Sequence, residues 1–309
     1  MATGRNTGRV AVTGGSGKLG RAVVAELLAH GWEVHNLDQA PPPAPPRPPF
    51  PPDPGHPRAA FTRIDLTDYG QTVEALTAID DRHRGLDAVV HLAAVPGPGM
   101  ATNAATFANN IRCSYNVFAG ARQAGILNVV WASSETVLGL PFETPPPYIP
   151  VGEEYAARPQ TSYSLAKHLD EQMAAQFARW DPQLKIVGLR FSNVMEPRDY
   201  AAFPSFDADP ALRRWNLWSY IDARDGAQAV RLALGYQNPG LEVFIIANAD
   251  TVMATRTSAS LAAEVFPQVP VARELGEHET LLSIDKARRL LGYRPGHSWR
   301  DEIKHEDGE

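Results

Sequence analysis

Val10-Ala11-Val12-Thr13-Gly14-Gly15-Ser16-Gly17-Lys18-Leu19-Gly20 is the stretch on which the fold is read. Arg9 to Thr13 has the composition of a short buried strand, and Leu19 to Ala29 sets apolar residues at helical spacing. The glycines therefore fall between a strand and a helix. The G-x-x-G-x-x-G spacing puts glycines at the turn, against a pyrophosphate and at the helix–sheet contact, with the helix N-terminus facing the phosphates. Gly14, Gly17, Lys18, Leu19 and Gly20 are thus candidate cofactor contacts. About twenty residues on, Asp38 ends a second strand, Glu33 to Leu37, where a carboxylate can accept hydrogen bonds from both ribose hydroxyls. A 2′-phosphate would be repelled there and no arginine directly follows, which favours NAD over NADP.

Outward from this turn, strand and helix signals alternate. Strands are expected at Leu86 to Leu92, Val129 to Ser133 and Ile186 to Phe191, and helices at Thr72 to Ile79, Thr106 to Ala124 and Tyr163 to Trp180. This alternation predicts an α/β fold, a Rossmann-type doubly wound parallel sheet with a smaller C-terminal substrate lobe. Residues 1–191 read as the NAD-binding domain and 192–309 mostly as the lobe, with 220–250 returning to the first domain. Residues 41–57 hold eleven prolines in seventeen positions, which excludes a helix or central strand. They read as an extended, polyproline-like surface loop inserted after the second strand, with a ligand role for an aromatic groove as the alternative.

The net charge of −6 gives no global attraction to nucleic acid or an anionic membrane. No apolar run reaches the ~20 residues that span a bilayer, and Met1 to Arg9 is polar, without a secretory apolar region. A single cysteine, Cys113, excludes an intrachain disulfide and a thiolate cluster, and the nine histidines show no metal-ligand spacing. Cytoplasmic residence is the expectation.

Tyr163-Ser164-Leu165-Ala166-Lys167 places a phenol and an ammonium one helical turn apart, on one face. A cation beside a phenol favours the phenolate and lowers its pKa toward neutrality, making Tyr163 a candidate acid/base for an alcohol losing a hydride.

Together these motifs resemble the extended short-chain dehydrogenase/reductase superfamily, the NAD-dependent epimerase/dehydratase group. The resemblance rests on the glycine turn, Asp65-Leu66, His91-Leu92-Ala93-Ala94, Ala132-Ser133-Ser134, and Tyr163 with Lys167. It also covers Asn110 and the late segment Ser283 to Tyr293, which looks like the family's C-terminal helix. It implies that Asp65, Leu66, Leu92, Ala93 and Ala94 lie along the cofactor. Tyr163 would be the acid/base, Lys167 would bind the nicotinamide ribose, Ser134 would hydrogen-bond the reacting oxygen, and Asn110 would position the lysine through water. His91 reads as a packed strand residue. The helices at 106–124 and 163–180 form a dimer interface in relatives, so a homodimer is expected.

Two departures bear on substrate. Dehydratases of the family carry an Asp-Glu pair after the serine, whereas this chain has Glu135 and Thr136, which disfavours elimination. Glu135 is either a contact to a substrate hydroxyl or a solvated loop acid. Nucleotide-sugar enzymes of the family have a lobe segment of about 45 residues with an arginine clamp. Here 28 residues separate Asn193, which matches the asparagine near the sugar, from Asp222, and Asn216 stands in the arginine's place. Arg198, Arg213 and Arg214 are the available substitutes. The short lobe, with Glu196 to Tyr200 and Leu217 to Tyr220, is similar to the uronate-dehydrogenase branch. That likeness implies an arginine on a substrate carboxylate, Arg198 first and Arg214 second. The expected function is oxidation of a small free sugar or sugar acid with NAD. The alternatives are a nucleotide-sugar epimerase and a non-catalytic NAD-binding protein.

Overall fold

The computed structural model describes residues 8–43, 59–142 and 144–306. Seven parallel strands form one sheet: β1 (Arg9–Thr13), β2 (Glu33–Asp38), β3 (Ala60–Arg63), β4 (Ala88–His91), β5 (Asn128–Ser134), β6 (Lys185–Phe191) and β9 (Gly240–Ile246), in the order β3-β2-β1-β4-β5-β6-β9. Two further strands, β7 (Val194–Met195) and β8 (Ile221–Asp222), pair with each other alone. The α/β sheet expected from the alternating pattern is therefore present. Its order reverses between β1 and β4, and a reversal opens a crevice at the carboxyl ends of the strands. The glycine turn and Leu92-Ala93-Ala94 follow strands that end there, and Ser134 is the last residue of another.

Alternation along each strand builds two cores, one per face. Val10, Val12, Val90, Val130, Val187 and Leu189 pack on one side. Ala11, Val89, Val129, Trp131 and Ile186 pack on the other. Helices α1 (Lys18–Ala29), α2 (Tyr69–Thr77), α3 (Asn103–Gln123) and α4 (Ser162–Trp180) cross between strands. The second and third start three residues earlier than periodicity suggests, because Asp68 and Thr102 cap them by accepting from the amides of Gln71 and Ala105. Thr161 and Ser164 make a reciprocal capping box that fixes where α4, and with it Tyr163, begins.

After β8 the chain comes back to the sheet. Helix α6 (Ala223–Leu234) packs on α1, and β9 pairs with β6 over its full length, from Lys185 opposite Gly240 to Phe191 opposite Ile246. The lobe contains a 3-10 run (Pro197–Ala208), the short helix α5 (Ala211–Arg214), α7 (Ser258–Val265) and α8 (Asp285–Leu291), the last inside the late segment named above. The described residues end in α9 (Trp299–Glu306). Two ion pairs tie the lobe to α1: Lys18 Nζ to Asp199 at 2.6 Å and Arg21 Nη2 to Glu196 at 2.7 Å. Residues 41–43 are irregular, and the rest of the proline-rich segment, from 44 to 57, lies outside the described residues.

Candidate active site

A cavity of about 960 Å³ opens at the strand-order reversal. Its long half is the glycine turn. Gly14 has φ +70°, and a Cβ there would stand 2.7 Å from the Ala93 amide. At Gly20 a Cβ would stand 2.1 Å from the Gly14 carbonyl and 2.6 Å from Gly15 Cα, so only glycine lets α1 approach the turn. The turn, α1 and β1 thus leave a shallow cradle of backbone at a helix N-terminus, which suits a pyrophosphate. Asp38 lines the same cavity, with one carboxylate oxygen accepting from the Ser16 amide at 3.0 Å. Lys18, Leu19, Leu66, Leu92, Ala93 and Ala94 line it as well. Asp65 does not. Its side chain turns onto Thr67, accepting from the amide at 2.9 Å and the hydroxyl at 2.8 Å. The donor set fits a dinucleotide.

The other half joins Ser134, Tyr163 and Lys167. Ser134 ends β5, and its hydroxyl accepts from the Thr136 amide at 3.1 Å, which holds the side chain at the mouth of the next turn. Lys167 Nζ donates to the Ala132 carbonyl at 2.7 Å and lies 3.9 Å from Asp170. The tyrosine pKa is raised, not lowered as the Tyr–Lys spacing suggests. Burial pushes the Tyr163 phenol up to about 12, with Asp170 and Glu135 adding to the shift and only Ser134 opposing it. The physical reason is that the ammonium is engaged with the Ala132 carbonyl while the phenol is buried. Burial likewise lowers Lys167, with Asp170 pulling it back up. Asn110 is buried outside the cavity lining. It accepts from the Val95 amide at 2.8 Å and donates to its carbonyl at 3.1 Å, holding the loop after β4. His91 bonds Thr13 at 2.7 Å, and burial pushes its pKa down to about 3, so it is a neutral strand residue.

The substrate-side predictions are redistributed. Asn193 and Glu135 line the cavity. Glu135 is only 2% exposed, which removes the solvated-loop reading. Burial pushes its carboxyl up to about 7, while the neighbouring Ser192 hydroxyl, Arg213, Asn216 and the Asn193 amide pull the other way. Arg198 and Arg214 do not reach the cavity. The Arg198 side chain is 72% exposed and pairs with Glu196 at 2.7 Å, and Arg214 points outward at the end of α5. The buried arginine is Arg213, which donates to Asn193 Oδ1 at 3.1 Å and the Ser219 carbonyl at 3.0 Å. Its guanidinium lies over the rings of Phe206 and Trp215 at 5.3 and 5.1 Å. Leu217 and Trp218, at φ 55° and 56°, take the left-handed conformation that bulky residues rarely adopt. Both are fully buried, and Trp218 Nε1 donates to the Pro210 carbonyl at 2.8 Å, so packing holds the strain. The turn they make aims Asn216 at Glu135, with Nδ2 donating to Oε1 at 3.4 Å, and follows directly on Trp215, which lines the cavity. Trp215 and Asp170 carry little signal in the sequence. Their only signal there is a bulky aromatic beside paired arginines and a charge three residues after the lysine.

A Rossmann-type sheet whose switch-point crevice joins a glycine turn to a Ser–Tyr–Lys set defines a dinucleotide-dependent enzyme of the short-chain dehydrogenase/reductase kind. The chain belongs to the NAD-dependent epimerase/dehydratase family, whose model matches residues 10–247, and its cofactor is NAD. It is 30% identical to UDP-glucose 4-epimerase 2 of Oryza sativa subsp. japonica over 69% of this chain and 50% of the relative. It thus spans about half the length of the rice and Erwinia amylovora UDP-glucose 4-epimerases that it matches. The crystal structure of a UDP-galactose 4-epimerase superposes with a TM-score of 0.65 at 26% identity, covering 96% of each chain. A mutated uronate dehydrogenase superposes with a TM-score of 0.64, covering 98% of this chain and 87% of the other. At 21% identity this second likeness shows the fold alone. No helix among the described residues is long and apolar enough to cross a membrane.

Proposed function

We propose that this protein is an NAD-dependent oxidoreductase that oxidises a hydroxyl of a small free sugar or sugar acid. The observation that carries the reading is the continuity of one cavity from the glycine turn to Ser134, Tyr163 and Lys167, bordered by a lobe segment of only 28 residues between Asn193 and Asp222. Bound NAD supplies the hydride acceptor. Ser134 donates a hydrogen bond to the reacting oxygen, and Tyr163 takes the hydroxyl proton. Lys167 holds the nicotinamide ribose. Asp38 accepts from the adenosine ribose hydroxyls. Asn110 acts through Val95, fixing the loop that borders the nicotinamide end.

A second reading, nucleotide-sugar epimerase, is favoured by the curated relatives, which include several UDP-glucose 4-epimerases. It uses the same residues and differs in releasing no NADH. Steady NADH formation with free hexoses or uronates supports the first reading. Turnover of UDP-sugars without net NADH sinks it.

The same proposal includes a cytoplasmic homodimer through α3 and α4. Tyr115, Leu165, Leu169 and Trp180 are large apolar side chains exposed on these two helices, which is unusual for a free surface. Light scattering giving a monomer mass would remove this part.

A further inference from the structure

Resting on that reading, we infer that the substrate is an uncharged polyhydroxy sugar, seated on the Trp215 ring with a hydroxyl donated to the Glu135 carboxyl. Three observations at the lobe end of the cavity carry this.

The first is a buried acceptor with capacity to spare. Glu135 lines the cavity and is nearly fully buried; its Oε1 accepts from Asn216 at 3.4 Å, and its Oε2 has no partner of ordinary hydrogen-bond geometry among the described residues, the Ser192 hydroxyl and the Asn193 amide being the near donors. A buried carboxylate so weakly bonded is stabilised by a further proton donor. A sugar hydroxyl is such a donor, and Asn193 and Ser134 offer further hydrogen-bonding groups along the same wall.

The second is an aromatic wall. Trp215 borders the cavity, with the Arg213 guanidinium held over its ring. The left-handed pair Leu217-Trp218 fixes the segment behind it. A rigid indole beside a carboxyl and amides matches the apolar face and hydroxyl rim of a pyranose.

The third is the disposition of positive charge. Among the described residues lining the cavity, the cations are Lys18 and Lys167. Lys18 is paired with Asp199 at 2.6 Å, and Lys167 donates to the Ala132 carbonyl near Asp170. Arg213 spends two of its nitrogens on Asn193 and Ser219. The Arg213 charge is already offset by Glu135, so a uronate carboxylate or a diphosphate entering the lobe end would meet Glu135 with no free bidentate cation to clamp it, and like charges brought together in a buried site repel. Specificity of this sort comes from the repelled ligand as much as from the accepted one.

The test uses the NAD-loaded protein at pH 8, above the value of about 7 for Glu135. Tryptophan fluorescence is titrated with galactose, glucose, galacturonate, glucuronate and UDP-glucose, and NADH formation is followed on the same samples. The expected result is saturable quenching by a neutral hexose, at least roughly tenfold tighter than by its uronate or by UDP-glucose. Trp215→Phe should abolish the signal, and Glu135→Gln should weaken hexose binding while narrowing its margin over the uronate. Tighter binding of a uronate or of UDP-glucose, or no hexose binding at all, overturns the inference. Hexose binding without NADH leaves the inference standing and removes the oxidoreductase reading instead.

Discussion

Lys167 Nζ lies 3.9 Å from the carboxylate of Asp170, one turn along the same helix, and both side chains are buried. Among the described residues neither Asp170 oxygen has a hydrogen-bond partner of ordinary geometry, and burial pushes the acid up to about 6, with Lys167 and the nearby Ser114 hydroxyl pulling the other way. This carboxylate acts on both members of the Tyr–Lys pair in opposite senses. It stabilises the ammonium, raising Lys167, and it repels a phenolate, raising Tyr163. Cys113 and Glu171 also face the lysine and raise it, while His91 is neutral beside it.

Replacing Asp170 with Asn should therefore move both ionisations the same way. The lysine loses its opposite charge and deprotonates at lower pH, and the tyrosine loses a like charge and ionises at lower pH. The whole bell of kcat/KM against pH shifts toward acid. A variant that lost activity with an unmoved profile would make Asp170 a packing residue only.

Tyr163→Phe removes the proton acceptor and leaves the ring's packing. Turnover should fall by about 10²- to 10⁴-fold, with NAD affinity by calorimetry changed little. Unchanged turnover would end the assignment of Tyr163 as acid/base.

Much of this site is legible in the sequence wherever a motif lies within one regular element or its immediate turn. Gly14, Gly17 and Gly20 lie at a strand–helix turn, and Tyr163 and Lys167 within one turn of α4, so spacing alone puts them together. Strand β3 is not legible, because four residues after a proline-rich run give too short a pattern to read. The directions of Arg198 and Arg214 are illegible for a different reason. They sit on a 3-10 run and a one-turn helix, where no fixed period relates position to direction. The cluster of Glu135, Arg213 and Asn216 needs three separate segments and a left-handed pair at Leu217-Trp218, which no local spacing encodes. Charge states were equally hidden, since the Tyr163 shift is set by burial and by Asp170 rather than by Lys167.

Gly20→Ala tests the turn directly. Its Cβ would meet the Gly14 carbonyl and Gly15 Cα, both backbone, so the turn or α1 must move. Overpacking of this kind costs about 1–3 kcal/mol, and the displaced turn should also weaken NAD. Calorimetry and a melting curve read the two effects. Wild-type values for both would mean that the helix does not need this approach.

Glu135→Gln should make the protein more stable at alkaline pH while impairing function. The carboxyl has an ordinary value of 4.5 and is held up to about 7 in the fold. Between those values the folded state binds more protons than the unfolded one, so its contribution is intact below about pH 4.5 and is lost as pH rises through about 7. At pH 8 the ionised carboxylate then costs the native state on the order of 3 kcal/mol relative to a neutral side chain of the same shape. Glutamine removes that cost, so the variant should melt several degrees higher than wild type at pH 8, with the gap closing toward pH 4.5. Stability given up at a buried acid beside Ser134 and Tyr163 is what a residue kept for ligand binding would show. Should the glutamine variant melt lower than wild type at pH 8, the carboxylate would instead be holding Arg213 and Asn216 in place as a structural counter-ion.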